Sequence, residues 1–160
     1  MKKSIRNSAI VLARFFLSAI FLTAAVNKIL NWQETERMLM NVFSDWQSYA
    51  WFSESTQEFF GFITPWTALI LIVAILLELV GGFLVLLGIK EELGAGLLIL
   101  FLIPVTIVMH PFWFFDTAAR ELQTIMFLKN LAILGGLILV CLNGAKAKSS
   151  SDPFASMRIS

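Results

Sequence analysis

Long apolar stretches alternate with polar and aromatic stretches along this chain. Four of the apolar stretches, at residues 9–30, 65–89, 93–109 and 124–142, carry few charges. A helix needs about 20 mostly apolar residues to cross the hydrocarbon core of a bilayer. The pattern therefore predicts an all-α chain in which a single domain, residues 1–144, forms an integral membrane four-helix bundle. Short connections make sequential helices antiparallel neighbours.

The first apolar stretch has a polar side. The residues that share one helix face at the i, i+3, i+4 spacing are Arg14, Ser18, Phe21, Ala25 and Lys28. The stretch could also be read as a secretory signal, but it is longer than the roughly 7–15-residue core of such a signal, and Arg14 interrupts it. We interpret it as a membrane helix with a polar stripe.

Two polar and aromatic connections lie between the spans, at residues 31–64 and 110–123. In the first, Asn31 precedes Glu34 and Ser55 precedes Glu58 by the spacing of a helix capping box. We therefore expect short helices on the membrane surface there. Residues 145–160 are rich in Ser and Lys, which predicts a disordered tail.

Basic residues predict the orientation of the chain. They cluster at the start, in the turn between the second and third spans and at the end, and are Lys2, Lys3, Arg6, Lys90, Lys146, Lys148 and Arg158. An even number of spans places all three clusters on one side, and the positive-inside rule makes that side cytoplasmic. We expect cytoplasmic N and C termini, with the two aromatic connections facing out.

Composition agrees with a membrane protein and excludes other classes. The chain is 58% hydrophobic and only 14% charged. Its net charge of +1, without a basic stripe, argues against nucleic-acid binding. Cys141 is the only cysteine, so the chain cannot form an internal disulfide or a C-x-x-C pair. With His110 as its only histidine, we expect no metal or haem site from this chain alone.

A carboxylate near the middle of the second span is the main candidate for function. Placing the Glu78 carboxylate in the bilayer would cost roughly 3 kcal/mol unless a partner group or a water-filled cavity compensated for the lost hydration. Its depth allows two partners, Lys129 toward the outer side or Arg14 toward the inner side. The sequence leaves this choice open, and it also leaves open whether such a pair serves chemistry or only fixes helix register.

Other polar side chains fall near the outer ends of the predicted spans. They are Lys28, His110, Lys129 and Asn130, and they could line one outward-facing pocket. Lysines near helix ends commonly extend to the headgroups, and we interpret Lys28 in this way. His110 could equally be a connecting residue that binds nothing.

Several motifs together resemble the DoxX family. They are Arg14 with Asn27 and Lys28, the run ELVGGFLVLLG from Glu78, HPFWFF from His110, and FLKNLAILGGLIL from Phe127. The resemblance implies a four-helix protein of a bacterial-type inner membrane. It also implies a link to thiosulfate:quinone oxidoreductase, to other membrane redox complexes and to thiol homeostasis.

Two functional hypotheses follow. In the first, the chain is the membrane subunit of a redox complex with a partner protein, and any enzymatic activity belongs to that complex. Lys129, Asn130 or His110 would then hydrogen-bond a quinone, and Glu78 would relay a proton. In the second, the chain is a non-enzymatic anchor or scaffold whose first outer connection docks a partner. A transporter is a weaker option, because four spans without an evident repeat leave little room for alternating access.

Overall fold

Helices account for nearly all of the computed structural model, which describes the backbone of residues 2–151 and the side chains of residues 5 and 7–142. The α-helices are α1 (Lys2–Leu30), α2 (Trp32–Tyr49), α3 (Glu54–Ile63), α4 (Thr67–Leu87), α5 (Glu91–Met109) and α6 (Thr117–Ser151). Short 3-10 turns occupy Thr64–Trp66 and Phe112–Phe114. No strand occurs in the described residues, so the all-α prediction is confirmed for that part of the chain.

Four helical segments are long and apolar enough to cross a membrane. They are Asn7–Leu30, Glu54–Leu87, Glu91–Phe114 and Thr117–Leu142. The second is longer than predicted because α3, a 3-10 turn and α4 follow one another without a break. These spans indicate a multi-pass membrane protein. Residues 145–151 of the predicted disordered tail form the end of α6, whereas residues 152–160 lie outside the described residues, and disorder there stays a prediction.

The spans pack in the order α1, α4, α5, α6. α4 packs along both α1 and α5, and α5 packs equally along α6, whereas α1 and α6 meet at only a few positions. The main core cluster draws on all four helices through Phe21, Val85, Leu98, Phe101 and Leu137. The fourth interface of the group, between α1 and α6, is therefore largely open.

Two glycines bring α4 and α5 close together. A Cβ atom on Gly81 would lie 2.8 Å from Leu98 Cγ, and one on Gly94 would lie 2.7 Å from Leu84 Cβ. Small residues allow membrane helices to approach closely. Gly88 then ends α4 with a left-handed φ of 71°, a conformation that costs glycine little.

Helices α2 and α3 pack on each other, and α2 also contacts α4. We call residues 32–66 the α2–α3 layer. Its buried Phe43, Trp46 and Phe60 form a separate hydrophobic cluster. Trp46 stacks on Phe60 and meets Phe114 edge to face, with centroids 5.1 and 5.2 Å apart.

The Trp46 indole also donates a hydrogen bond of 2.9 Å to the Val108 carbonyl near the end of α5. Carbonyls in the last turn of a helix have no partner within the helix, so the indole satisfies one of them. The layer is thus fixed to α5 by a buried side chain.

Both predicted capping boxes are wrong. The side chain of Ser53, not Ser55, caps α3 by accepting a hydrogen bond from the Thr56 backbone N–H. Asn31 is the N-cap residue of α2, but its side chain accepts no hydrogen bond from that helix and donates instead to the Asn27 carbonyl at 3.1 Å and to Asn27 Oδ1 at 2.9 Å. Asn31 is the single residue between α1 and α2, so the end of α1 offers nearby acceptors to its amide.

Candidate functional site

The buried Glu78 forms an ion pair with the partly buried Lys28. The Lys28 ammonium donates to both carboxylate oxygens of Glu78 at 2.9 Å. Glu78 is 1% exposed, and the same ammonium lies 5.6 Å from the centre of the Phe101 ring. The carboxylate and the aromatic face both stabilise the ammonium cation.

Helix register explains this pairing. Gly82 of α4 packs against Leu22 of α1, because its missing side chain leaves room for the leucine. The two helices are antiparallel. The position four residues toward the N-terminus of α4 from Gly82, which is Glu78, therefore lies at the same level as the position four residues toward the C-terminus of α1 from Leu22. Glu78 thus lies level with the turn before Lys28, and helical side chains lean toward the N-terminus of their own helix. The lysine therefore points back to the carboxylate.

The structure overturns both predicted partners of Glu78. Neither Arg14 nor Lys129 contacts it, since both carboxylate oxygens bind Lys28. The interpretation of Lys28 as a headgroup-seeking lysine is also wrong, because its ammonium is directed inward. Lys28 lies near the end of its apolar stretch, which favours a headgroup contact, but it also shares a helix face with Ser18 and Phe21, which favours a contact inside the protein.

Arg14 pairs with an acid that the sequence analysis did not single out. Its Nη2 donates to Glu91 Oε1, in the first turn of α5. The guanidinium lies over Gly88, where an added Cβ would come within 2.5 Å of Nη1. Because a tight turn joins α4 and α5, the start of α5 lies beside the N-terminal half of α1.

Two buried polar atoms near this pair have no hydrogen-bond partner among the described residues. They are Arg14 Nε and Ser18 Oγ, on the same face of α1. The predicted polar stripe is therefore real, because Ser18, Phe21 and Ala25 are all buried. The charged residues at the two ends of the stripe, Lys28 and Arg14, form ion pairs with acids from α4 and α5.

His110 connects the end of α5 to α6. Its Nδ1 lies 2.8 Å from Gln123 Oε1, and the His110 backbone N–H donates to the Thr106 carbonyl. The contact joins two spans at their common end. Gln123 was not among the predicted site residues.

Lys129 and Asn130 are neighbours in sequence but point in different directions. Lys129 is exposed, and its ammonium donates to Met126 Sδ at 3.3 Å, one turn away on the same helix. Asn130 is 8% exposed, and its amide forms no hydrogen bond with the described residues.

The predicted pocket is not joined by polar contacts. Among the described residues, no hydrogen bond or ion pair links Lys28, His110, Lys129 and Asn130 to one another. Their convergence on one ligand stays a prediction.

The described residues contain no group of three or more His, Cys, Asp and Glu side chains placed to hold a metal ion. Cys141 is a free thiol whose Sγ lies 3.8 Å from the Glu92 carbonyl. The polar interior consists instead of two ion pairs, Lys28–Glu78 and Arg14–Glu91, which lie at different depths. Chemically, such pairs fix helix register and keep the net buried charge near zero.

Comparison with known proteins identifies a family match. The family model described as DoxX matches residues 9–111, which include Arg14, Lys28, Glu78 and His110. The run from Phe127 to Leu139, with Lys129 and Asn130, lies outside the matched range. No curated protein and no solved structure gives a significant match.

Proposed function

Because the chain belongs to the DoxX family, we propose that it is the membrane subunit of a redox complex whose catalytic groups come from a partner protein. In this role the four spans anchor the complex in the bilayer, and the α2–α3 layer docks the partner. The Lys28–Glu78 and Arg14–Glu91 ion pairs hold the spans in register.

The observation that carries this proposal is the attachment of the α2–α3 layer to the spans. The Trp46 hydrogen bond to the Val108 carbonyl fixes the layer on α5, and the stacking of Phe60 on Trp46 holds α3 against α2. Its surface carries exposed acids, which are Glu34, Asp45, Glu54 and Glu58. It also exposes large aromatic side chains, which are Trp51, Phe52, Phe59, Phe62 and Trp66. Exposed aromatic groups next to charges are typical of protein interfaces and of the membrane–water boundary.

The proposal places this layer on the outer surface of a bacterial-type inner membrane. The positive-inside rule puts both termini and Lys90 in the cytoplasm, and the amphipathic α2 and α3 then lie at the outer boundary of a four-helix bundle. The partner is accordingly expected to bind from the outer side.

Isolating the tagged chain from native membranes in a mild detergent tests this proposal. We expect an assembly well above the 18.0 kDa of the chain, containing a partner with a spectroscopically visible redox centre or a reactive dithiol. Reversing the exposed charges with Glu54→Lys and Glu58→Lys should release the partner. Lys90→Gln, at the opposite end of the spans, serves as the matched control.

Two outcomes would count against the redox assignment. A chain that is isolated alone would remove the subunit role altogether. A partner without any redox group, released by the same two substitutions, would support the alternative of a non-enzymatic anchor or scaffold.

Quinone binding is a second candidate function, favoured by Asn130. Asn130 is 8% exposed, and its amide forms no hydrogen bond with the described residues, so it is available to a ligand. A quinone oxygen is an acceptor that such an amide can satisfy. Glu78, bound through both oxygens to Lys28, would need to leave that pair before it could relay a proton.

Quinone titration of the purified chain tests this second candidate. Binding of a short-chain ubiquinone should quench the tryptophan fluorescence of the wild-type protein. Asn130→Leu should weaken this binding about tenfold. Lys129→Ala reports whether the neighbouring ammonium contributes. Equal and negligible binding by all three proteins would eliminate the hypothesis.

A further inference from the structure

The open interface between α1 and α6 contains a cation that pairs with no acid among the described residues. Gly136 of α6 faces α1, since a Cβ there would lie 3.6 Å from Leu17 Cδ1. Lys129 is seven residues earlier on α6, which places it on the same face and about 10 Å along the helix axis. Yet Lys129 is exposed, so α1 no longer covers α6 at this level. We call the gap between α1 and α6 on the Lys129 side of Gly136 the α1–α6 seam.

Antiparallel packing identifies the other wall of the seam. Seven residues after Leu17 along α1 comes Ala24, which is only partly buried, with the exposed Ile20 one turn before it. The seam is thus lined by a small residue and apolar side chains on α1 and by the charged Lys129 on α6. Its mostly apolar lining suits an apolar helix.

The charge of Lys129 has no counterpart within the described part of the chain. Its ammonium contacts only the thioether of Met126 at 3.3 Å. Glu78 is held by Lys28 and Glu91 by Arg14. An ammonium inside a membrane span without an acid or water is costly, and such groups usually pair with another charge.

A second copy of this chain does not fit the seam. Two copies in one membrane have the same orientation, so a symmetric contact through the seam would bring two Lys129 side chains to the same depth. Like charges facing each other in the bilayer repel. The complement of this surface is a different helix.

We propose that the α1–α6 seam binds a transmembrane helix of a partner protein, and that a carboxylate in that helix pairs with Lys129. The inference rests on the proposed role as a subunit of a complex and adds a contact within the bilayer to the one at the α2–α3 layer. A pair of opposite charges at matching depth provides both attraction and a fixed register.

Designed peptides provide a defined probe. The peptide is a 24-residue Leu/Ala transmembrane helix with one Glu about 9 Å from the outer hydrocarbon boundary, the depth of Lys129 below Gln123. A matched peptide carries Gln in its place. Association with the full chain is measured by energy transfer in phosphatidylcholine vesicles at neutral pH.

We expect the wild-type chain to bind the Glu peptide about tenfold more tightly than the Gln peptide. Lys129→Gln should abolish the preference, Lys129→Arg should retain it, and Lys90→Gln should leave it unchanged. Helical content from circular dichroism checks that each variant is folded. Equal binding of the two peptides by the wild type, or a preference that survives Lys129→Gln, overturns the proposal.

Anionic lipid is the competing occupant. If phosphatidylglycerol in the vesicles removes the Glu preference of the wild type, Lys129 binds headgroups rather than a helix, and the proposal is wrong. Native gels of the complex separate the two levels of inference. If the complex persists in the Lys129→Gln variant, the seam contact is ruled out but the subunit role is not. If the wild-type chain is isolated without partners, the subunit role is ruled out, and peptide binding alone decides the seam contact.

Discussion

At the scale of single residues, the decisive feature is the charge balance inside the spans. Glu78 and Lys28 neutralise each other within the helix packing, and Phe101 covers the ammonium. Breaking such a pair leaves one group buried without compensation, which costs more than the pair itself contributes. This asymmetry distinguishes a structural pair from a catalytic acid that must be free to exchange protons.

Glu78→Gln is therefore expected to destabilise the protein by about 3 kcal/mol, because Lys28 loses its carboxylate. Replacing both residues, with Lys28→Met and Glu78→Gln, should recover part of the loss. The free energy of unfolding is measured by denaturant titration in detergent micelles, with Lys129→Gln as a near-neutral control. If the double variant lost as much as the sum of the single variants, the two side chains would not be coupled.

Glycine packing supplies a second prediction at this scale. A Cβ at position 94 would meet Leu84 Cβ at 2.7 Å and the Gly81 carbonyl oxygen at 3.0 Å, and neither atom belongs to a flexible side-chain end. Gly94→Ala should cost about 1–3 kcal/mol through overpacking.

Gly96→Ala is the matched control on the same helix. Nothing lies within 4 Å of a Cβ at that position, so the change should be neutral or slightly stabilising in the same unfolding titration. Equal effects of the two substitutions would contradict the close approach of α4 and α5.

At the scale of elements, the α2–α3 layer depends on one tryptophan. Trp46 is buried and contacts both α3 and the end of α5. The remaining contacts of the layer are largely aromatic, such as Tyr49 stacked on Phe114 at 5.1 Å. The aromatic contacts bury apolar surface area, whereas the Trp46 indole N–H supplies the directional hydrogen bond to α5.

Trp46→Phe should keep the stacking and lose the hydrogen bond, leaving the Val108 carbonyl unpaired. We expect a loss of about 1 kcal/mol, concentrated in the layer. Hydrogen exchange followed by mass spectrometry should report faster exchange in α2 and α3 with α4 unchanged. Trp51→Phe, at an 82% exposed position, is the control, and uniform acceleration in all helices would refute a local role.

At the scale of the whole molecule, the orientation in the membrane determines which partners can reach the α2–α3 layer. Glu58 on α3 and Lys90 in the α4–α5 turn are exposed at opposite ends of α4. Single cysteines at these positions, in a Cys141→Ala background, report the orientation with a membrane-impermeant maleimide. In spheroplasts, Glu58→Cys should be labelled, and Lys90→Cys should react only after permeabilisation. The reverse pattern would place the layer in the cytoplasm.

The sequence by itself determined the four apolar spans, the polar stripe on α1 and the family. These features are local: the transfer of an apolar run into a bilayer depends on the run's own composition, and a helix face depends on spacing alone. The existence of helices between residues 31 and 64 was also predictable, although their caps were not, because competing acceptors such as Asn27 lie in the preceding helix.

Only the tertiary structure decided which charges meet. Lys28 and Glu78 are 50 positions apart in the chain, and Arg14 and Glu91 are 77 apart. Their pairing depends on the register between helices, which is set by close contacts such as Leu22 against Gly82. The same packing leaves α1 and α6 apart and Lys129 exposed between them. Depth estimated along separate helices cannot supply this register, because an error of one turn, about 5.4 Å, exchanges one partner for another.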